Sequence, residues 1–333
     1  MLRPTPTTVL TIVLNKKYGR TVRTSLRRAS LAILAGLTVA LAGCAVTNTP
    51  AQTGPIRIVA TTTQLADFSR AVAGEEGIVT ALIRPNQSAH SFDPSARDLV
   101  AAGEANALVS NGLGLEEWLD SVEDASGFGG TLIVASAGVS LSDDDPHVWT
   151  SPRNARIMVA NIVAGLQSAR PDLREAFAAN GAAYEAQLGL LDEWATEAFA
   201  SVPAAKRILV TNHDALAYFV NDYGITFLGS ILPSLDDNAE PSAADVDKIV
   251  SKIRASSASA VFSENTVSAK LATTIAREAG VAVYSGEQAL YADSLGGPGS
   301  AGATYIGATI HNVTVLVTAW GGTVPPLPEG LTS

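Results

Sequence analysis

Cysteine and histidine are scarce in this sequence. It contains one cysteine, Cys44, and four histidines among 333 residues. A single cysteine excludes a disulfide framework and a thiolate metal site within the chain. The H-E-x-x-H pattern of helical zinc hydrolases is also absent. A metal site in this chain would therefore have to be assembled from histidines and carboxylates that lie far apart in the sequence.

Acidic residues are missing from the first 43 positions, which carry seven lysines and arginines. The apolar run 29–41 follows, and it ends in the letters "LAGC" at Cys44. A basic stretch, a short apolar stretch and small residues before a cleavage point are typical of a secretory signal, and the run is too short for a stable membrane span. The ending resembles a bacterial lipobox. Residues 1–43 are therefore predicted to be a signal peptide, with Cys44 lipid-modified; an ordinary signal cleaved near Ala42 is the alternative.

The predicted mature chain is strongly acidic. Removing residues 1–43 leaves 15 basic residues against 32 acidic ones, a formal charge of −17. Such a surface repels nucleic acid and attracts cations. With 47% hydrophobic residues the chain can bury sizeable cores, and its length favours two domains. Residues 44–54 are small and polar and are predicted to be a tether.

Short β-branched runs alternate with amphipathic stretches in two blocks, 55–170 and 203–325. Between them, residues 171–202 have helical spacing of apolar residues and prolines at their borders, which indicates one linker helix. The repetition predicts an α/β fold: two Rossmann-like lobes with mostly parallel sheets, joined by one long rigid helix. Residues 326–333 are taken as a tail. The predicted strands are 56–60, 77–83, 107–112, 131–136, 207–211, 225–230, 259–263 and 281–285.

Three of the four histidines, His90, His147 and His213, each follow a predicted strand. Ligands of open α/β sheets bind beyond the carboxyl ends of the strands, so these side chains are predicted to face one cleft. His147 lies on a proline-bounded turn directly after three aspartates, a setting suited to holding a cation. The fourth histidine, His311, falls beside the apolar face of the last helix and is expected to have no function in the site.

A fourth ligand should follow a strand of the second block. The segment "VAVYSGEQALYADSLG" offers Glu287 and Asp293, and spacing alone leaves both open. Asp93 and Asp214 are predicted to accept hydrogen bonds from ligating histidines. Trp149 is expected to pack against the cleft wall.

Several segments resemble the metal-binding motifs of the zinc/manganese ABC-transporter substrate-binding proteins (solute-binding protein family 9, cluster A-I). They are "HSFDPSARD", "DPHVWTSPRNA", "TNHDALAYFVNDYGI" and "ALYADSLG", and the likeness extends in order over nearly the whole mature chain. The resemblance implies one metal ion bound between the lobes by His90, His147, His213 and Asp293. It thereby favours Asp293 over Glu287.

Two departures from the family pattern bear on the ion. Many zinc-specific members carry a long loop rich in histidine and acid before the second histidine, where this chain has only "LSDDDP". Manganese-specific members often have glutamate where this chain has His213. Three imidazoles and one carboxylate suit four-coordinate zinc and favour zinc over manganese. Zinc is therefore the predicted ion, and manganese is the alternative.

The resemblance implies a binding protein and not an enzyme. It would capture zinc outside the cytoplasm, anchored to the membrane by lipid at Cys44, and deliver the ion to an ABC permease driven by its ATPase. A monomer is expected, and a metallochaperone is a further candidate partner. The stiff linker helix should restrict hinge closure, so the loop 232–242 is predicted to order on metal binding. A zinc hydrolase, a surface adhesin and a binder of metal chelates are the alternative functions.

Overall fold

Four parallel strands form the sheet of the N-terminal half. In this computed structural model, which describes residues 54–90, 92–140, 145–232 and 241–331, the strand order is β2-β1-β3-β4. All three pairings are parallel. Nearly all side chains of the two central strands are buried, which agrees with helices covering both faces of the sheet. The elements are β1 (Ile56–Ala60), α1 (Thr63–Ala73), β2 (Gly77–Ala81), α2 (Ala96–Gly103), β3 (Ala107–Ser110), α3 (Leu119–Ser126), β4 (Thr131–Val134) and α4 (Pro152–Ala169).

The C-terminal half is built on two parallel strand pairs. One pair is β5 with β6 and the other is β7 with β8. The two pairs are joined where the backbone N–H of Glu264, just past β7, donates to Oδ1 of Asn212, just past β5 (3.0 Å). The elements are β5 (Ile208–Thr211), α6 (Ala217–Asp222), β6 (Thr226–Ser230), α7 (Ala243–Ala255), β7 (Ala260–Phe262), α8 (Ala269–Ala279), β8 (Ala282–Tyr284) and α9 (Tyr305–Ala319).

One long helix, α5 (Arg174–Ala200), lies between the halves and follows a 3₁₀ turn at Pro171–Leu173. It packs against α1 and α4 of the first half and α9 of the second. Asp67 of α1 accepts hydrogen bonds from the Tyr184 hydroxyl of α5 and the backbone N–H of Tyr305 at the start of α9, both at 3.0 Å. Burial raises the pKa of Asp67 in this position. One carboxylate thus connects three helices.

The largest hydrophobic core contains residues from both halves and from α5. Phe68, Phe177, Phe199 and Phe262 are among its fully buried side chains. A second core lies between the strand pairs and helices α7 and α8. At about 25 cal/mol per Å² of apolar surface removed from water, burial of this kind is the main stabilising contribution. The strand-exit loops are therefore supported by tightly packed elements.

The predicted fold class, mixed α/β with parallel sheets and one long helix, is confirmed. Ser242 and Asp245, three residues apart, predict a capping box for a helix over 243–255, and α7 has these bounds and this capping box. The sequence also predicts helices over 115–122 and 214–222, but these helices begin at Leu119 and Ala217. Residues 112–114 all have positive φ (82°, 61° and 77°) and lie in the loop before α3.

Several predictions concern residues that the structure does not describe, and these stay predictions. The signal peptide, Cys44 and nearly all of the tether lie outside the described residues, as do residues 233–240 of the loop predicted to order on metal binding. The boundaries proposed for the two lobes are not tested by the structure. In the part of the chain that the structure describes, none of the helices combines the length and the hydropathy of a membrane span.

Two glycines of α5 provide a matched test of the packing between α4 and α5. A Cβ added at Gly181 would overlap Cγ2 of Val163 on α4, whereas a Cβ at Gly189 meets nothing within 4 Å. We expect Gly189→Ala to raise the free energy of unfolding by about 0.5–1 kcal/mol, since alanine favours the helix. Gly181→Ala should lower it by about 1–2 kcal/mol, because the overlap outweighs that gain. Denaturant unfolding measures both, and equal effects would contradict the close packing.

Candidate metal centre

His90 lies in the loop that follows β2. Its backbone N–H donates to the Ser88 hydroxyl (3.2 Å), and the indole N–H of Trp118 donates to the carbonyl of the preceding Ala89 (3.3 Å). The side chain of His90 is 13% exposed, which makes it the most accessible of the predicted ligands. The segment just before the histidine is thus held in place, while the imidazole keeps an edge toward solvent.

His147 follows β4 and precedes a 3₁₀ turn at Val148–Thr150. Oδ1 of Asp145 accepts the backbone N–H of His147 (2.9 Å) and lies 2.6 Å from its ring Nδ1. The carbonyl of Pro146 accepts a hydrogen bond from Asn111 at the end of β3 (3.0 Å). Helix α4 begins directly afterwards with Ser151 as its N-cap, as predicted. These contacts bury the ring completely and direct Nε2 into the site.

His213 lies two residues after β5 and is also fully buried. Oε1 of Glu264 accepts its backbone N–H (3.0 Å), and Oε2 of the same carboxylate lies 2.7 Å from its ring Nδ1. The carbonyl of His213 accepts a hydrogen bond from the Thr211 hydroxyl (2.7 Å). The contacts at Nδ1 leave Nε2 facing the site, as at His147.

Asp293 comes after β8, and donors from the N-terminal half hold its loop. The carbonyl of Ala292 accepts hydrogen bonds from the Gln64 amide (3.1 Å) and the Trp149 indole (2.9 Å). The backbone N–H of Leu295 donates to the Thr63 hydroxyl (2.8 Å). Asp293 is 3% exposed. A residue of the second half is therefore held at the carboxyl edge of the first sheet.

The four predicted ligands converge. Each offers one nitrogen or oxygen atom, and these atoms all lie within 4.8 Å of one another. Nε2 of His90 is 3.1 Å from Nε2 of His147, and the Asp293 carboxylate is 3.4 Å from Nε2 of His147 and 3.2 Å from Nε2 of His213. Ligands about 2.0–2.2 Å from a tetrahedral zinc ion are about 3.3–3.6 Å apart. These three distances are close to that spacing, and Nε2 of His90 lies somewhat farther from the Asp293 carboxylate, at 3.8 Å.

Carboxylates set the charge of the cluster. Burial lowers the pKa of His213, but the Glu264 and Asp293 carboxylates outweigh burial and raise that pKa to about 11. Burial likewise raises the pKa of Asp293, whereas the histidines, His213 foremost, hold it well below its ordinary value. In the absence of a cation, the buried Asp293 is compensated by a protonated His213. A divalent ion would replace that proton.

The other predictions for this region had mixed outcomes. Glu287 is exposed, which agrees with the preference for Asp293. The carboxylates within 4 Å of a ligand Nδ1, among the described residues, are Asp145 and Glu264, and not the predicted Asp93 and Asp214. Asp93 is exposed in the groove outside the cluster. A side chain that directly follows a ligand, such as Asp214, has its own direction, so adjacency in sequence was misleading.

The sequence contained only weak signals for Asp145 and Glu264, the two carboxylates that were not predicted to contact the histidines. Asp145 is two residues before His147, and Glu264 follows a strand as the ligands do. Trp149 packs edge-on against the His147 ring with centroids 5.2 Å apart, as expected of a wall residue. His311 contacts the carbonyl of Ala289 through Nε2 (3.0 Å), which fits the structural role predicted for it.

The profile of the protein family described as "Zinc-uptake complex component A periplasmic" (ZnuA) matches residues 58–319. This range contains all four converging side chains. The chain belongs to this family. Membership confirms the predicted resemblance, and with it a metal-binding protein of periplasmic type. The family description is that of a component of a zinc-uptake complex.

Named relatives differ in the ion they bind. The chain is 32% identical to the iron-binding protein YfeA of Yersinia pestis over 82% of its length and 89% of the relative's. It is 31% identical to the manganese-binding lipoprotein MntA of Bacillus subtilis, over 88% and 99%. The solved periplasmic zinc-binding protein TroA of Treponema pallidum is 26% identical, with a TM-score of 0.73, over 80% and 99%. Iron, manganese and zinc are therefore all represented among similar proteins.

The charge arrangement predicts a stability effect without any metal. The pKa of His213 is raised from 6.5 to about 11, so its contribution to stability is fully present below about pH 6.5 and is lost as pH rises through about 11. At pH 7, we expect His213→Ala to lower the free energy of unfolding of chelator-treated protein by about 3–5 kcal/mol, because it leaves buried carboxylates without a cation. Denaturant unfolding measures this loss.

The matched control is His311→Ala. This histidine is half-buried and its ring contacts one backbone carbonyl. We therefore expect His311→Ala to lower the free energy of unfolding by only about 1 kcal/mol. Equal losses in the two variants would contradict the charge arrangement described for the cluster.

Proposed function

We propose that this protein captures one zinc ion with His90, His147, His213 and Asp293 outside the cytoplasm and delivers it to the permease of an ABC importer. The observation that carries the proposal is the convergence of three imidazoles and one carboxylate from four strand-exit loops, with donor atoms within 4.8 Å of one another. Membership of a zinc-uptake family supports import as the purpose of this binding. The permease and its ATPase are the partners implied.

The donor set favours zinc over manganese. Imidazole nitrogens suit zinc, whereas manganese prefers oxygen ligands and a larger coordination number. A cluster with one carboxylate supplies few oxygens for manganese. Because similar proteins are named for manganese and iron, the ion that this protein binds has to be measured directly.

Four protein donors favour transport over catalysis. A hydrolytic zinc site keeps an open position for an activated water and places a general base beside it. Here four protein groups can complete a tetrahedron, and the carboxylates behind the ligands contact imidazole Nδ1 atoms. A site of this kind holds the ion without activating a water.

The membrane anchor and the division into lobes are part of the proposal. Residues 1–43 have the pattern of a lipoprotein signal that ends at Cys44, and the relative MntA is named a lipoprotein. We propose lobes at 55–170 and 203–325 with the linker helix at 171–202. On this view the ion lies at the boundary between the lobes, where loops of both contribute ligands.

Native mass spectrometry tests the ligand set and the ion. Chelator-stripped protein, offered zinc and manganese in equal amounts, should take up one zinc per chain. We expect His213→Ala to lose at least tenfold in zinc affinity, whereas His311→Ala should bind as the wild type does, because its ring lies outside the cluster. Manganese occupancy in the wild type would contradict the choice of ion, and a zinc affinity of His213→Ala equal to that of the wild type would contradict the ligand set.

Zinc binding should release protons near neutral pH. The pKa of His213 is raised to about 11 in the metal-free cluster, so a proton must leave before Nε2 can bind zinc. We expect at least about one proton released per zinc at pH 7.5, and an affinity that rises by about tenfold per pH unit from this residue alone. Calorimetry in buffers of different ionisation enthalpy measures the release. Zinc uptake with no proton release would contradict this charge state of His213.

A further inference from the structure

Two donors of His213 face one carboxylate. Its backbone N–H donates to Oε1 of Glu264 (3.0 Å), and its ring Nδ1 lies 2.7 Å from Oε2. His213 is 0% exposed and Glu264 is 1% exposed. Burial makes the loss of either contact costly, because a buried donor without an acceptor is not compensated by water.

Glu264 is itself fixed between the two ligands of the C-terminal half. Its backbone N–H donates to Oδ1 of Asn212, the neighbour of His213 (3.0 Å). Its backbone also forms a parallel bridge with Leu290, three residues before Asp293. Glu264 therefore lies where the loop of His213 meets the loop of Asp293.

We infer that Glu264 is a positioning residue for metal capture, which holds the His213 imidazole with Nδ1 protonated so that only Nε2 binds the ion. The inference rests on the proposed zinc site. A histidine that ligates through Nε2 must carry its ring proton on Nδ1, and an acceptor at Nδ1 fixes that tautomer. At this position the two nitrogens face different oxygens of one carboxylate, whereas a side-chain amide offers a single acceptor oxygen.

Asp145 provides a natural comparison. Its Oδ1 alone contacts both the backbone N–H and the ring Nδ1 of His147, at 2.9 and 2.6 Å. At His147 one oxygen thus contacts both nitrogens, whereas at His213 the backbone N–H and Nδ1 contact different oxygens of Glu264.

This difference gives the amide variants opposite properties. In Asp145→Asn the carbonyl oxygen can occupy the position of Oδ1 and accept both hydrogens. In Glu264→Gln the single oxygen can face only one donor, and the amide NH₂ must face the other. If the NH₂ faces Nδ1, it stabilises the tautomer protonated on Nε2, which cannot bind the ion through that atom. Both variants lose one negative charge, so an effect of charge alone would lower zinc affinity by similar factors in the two.

Zinc affinity measured by competition with a chelator tests the inference. We expect Glu264→Gln to bind zinc about 10–100-fold more weakly than the wild type, and Asp145→Asn to lose less than about tenfold. An affinity of Glu264→Gln within about threefold of the wild type would overturn the inference. Equal losses in the two variants would overturn it as well, because they would indicate an effect of charge alone.

Nitrogen-15 NMR of the zinc-loaded protein adds a readout that a purely structural role would not change. In the wild type we expect His213 to show a hydrogen-bonded Nδ1–H with Nε2 coordinated. Glu264→Gln should lose that signal, or its His213 backbone N–H should exchange faster with water. An unchanged Nδ1–H signal together with an unchanged backbone N–H would overturn the inference.

If Glu264→Gln does not fold, Glu264→Asp replaces it in the same two assays. It keeps the charge and both oxygens but is one methylene shorter, so it cannot maintain both contacts. It should weaken zinc binding and shift the Nδ1–H signal, and wild-type behaviour in both assays would overturn the inference. Failure of the wild type to bind zinc would instead overturn the proposed function, so the two failures are distinguishable.

Discussion

The structure depends on one buried carboxylate surrounded by imidazoles. Asp293 is 3% exposed and lies within 4 Å of ring nitrogens of three histidines. An uncompensated charge at such a depth would be strongly unfavourable, so a proton on His213 or a bound cation must balance it. With the proposed ligand set, metal capture would exchange one positive charge for another within this cluster. This exchange links affinity to pH and links the ion to the stability of the fold.

Buried hydrogen bonds around the cluster hold its loops in place. The loop of Asp293 is held by donors from the N-terminal half, including the Gln64 amide and the Trp149 indole. Helix α5 and the Asp67 carboxylate connect helices from both halves. Opening the two halves would break these buried hydrogen bonds together. Such a scaffold is suited to fixing the spacing of donor atoms, which is how a protein selects among divalent ions of similar affinity.

Two carboxylates support the histidines on the side away from the cluster. Asp145 and Glu264 contact the Nδ1 atoms of His147 and His213, so both rings present Nε2 to the cluster. The two devices differ, since one uses a single oxygen and the other uses both. His147 and His213 are each contacted at both the backbone N–H and the ring Nδ1, which fixes the direction of both rings.

The sequence by itself determined the fold class and the four converging side chains. Periodicity predicts parallel strands and a long helix, and polar residues after parallel strands meet at one edge, so His90, His147 and His213 could be assigned from their positions. Spacing could not separate Glu287 from Asp293; the family resemblance did so. Only the tertiary structure decided which carboxylates support the ligands. Those contacts join residues such as His213 and Glu264, 51 positions apart, and depend on side-chain direction, which local sequence patterns do not encode.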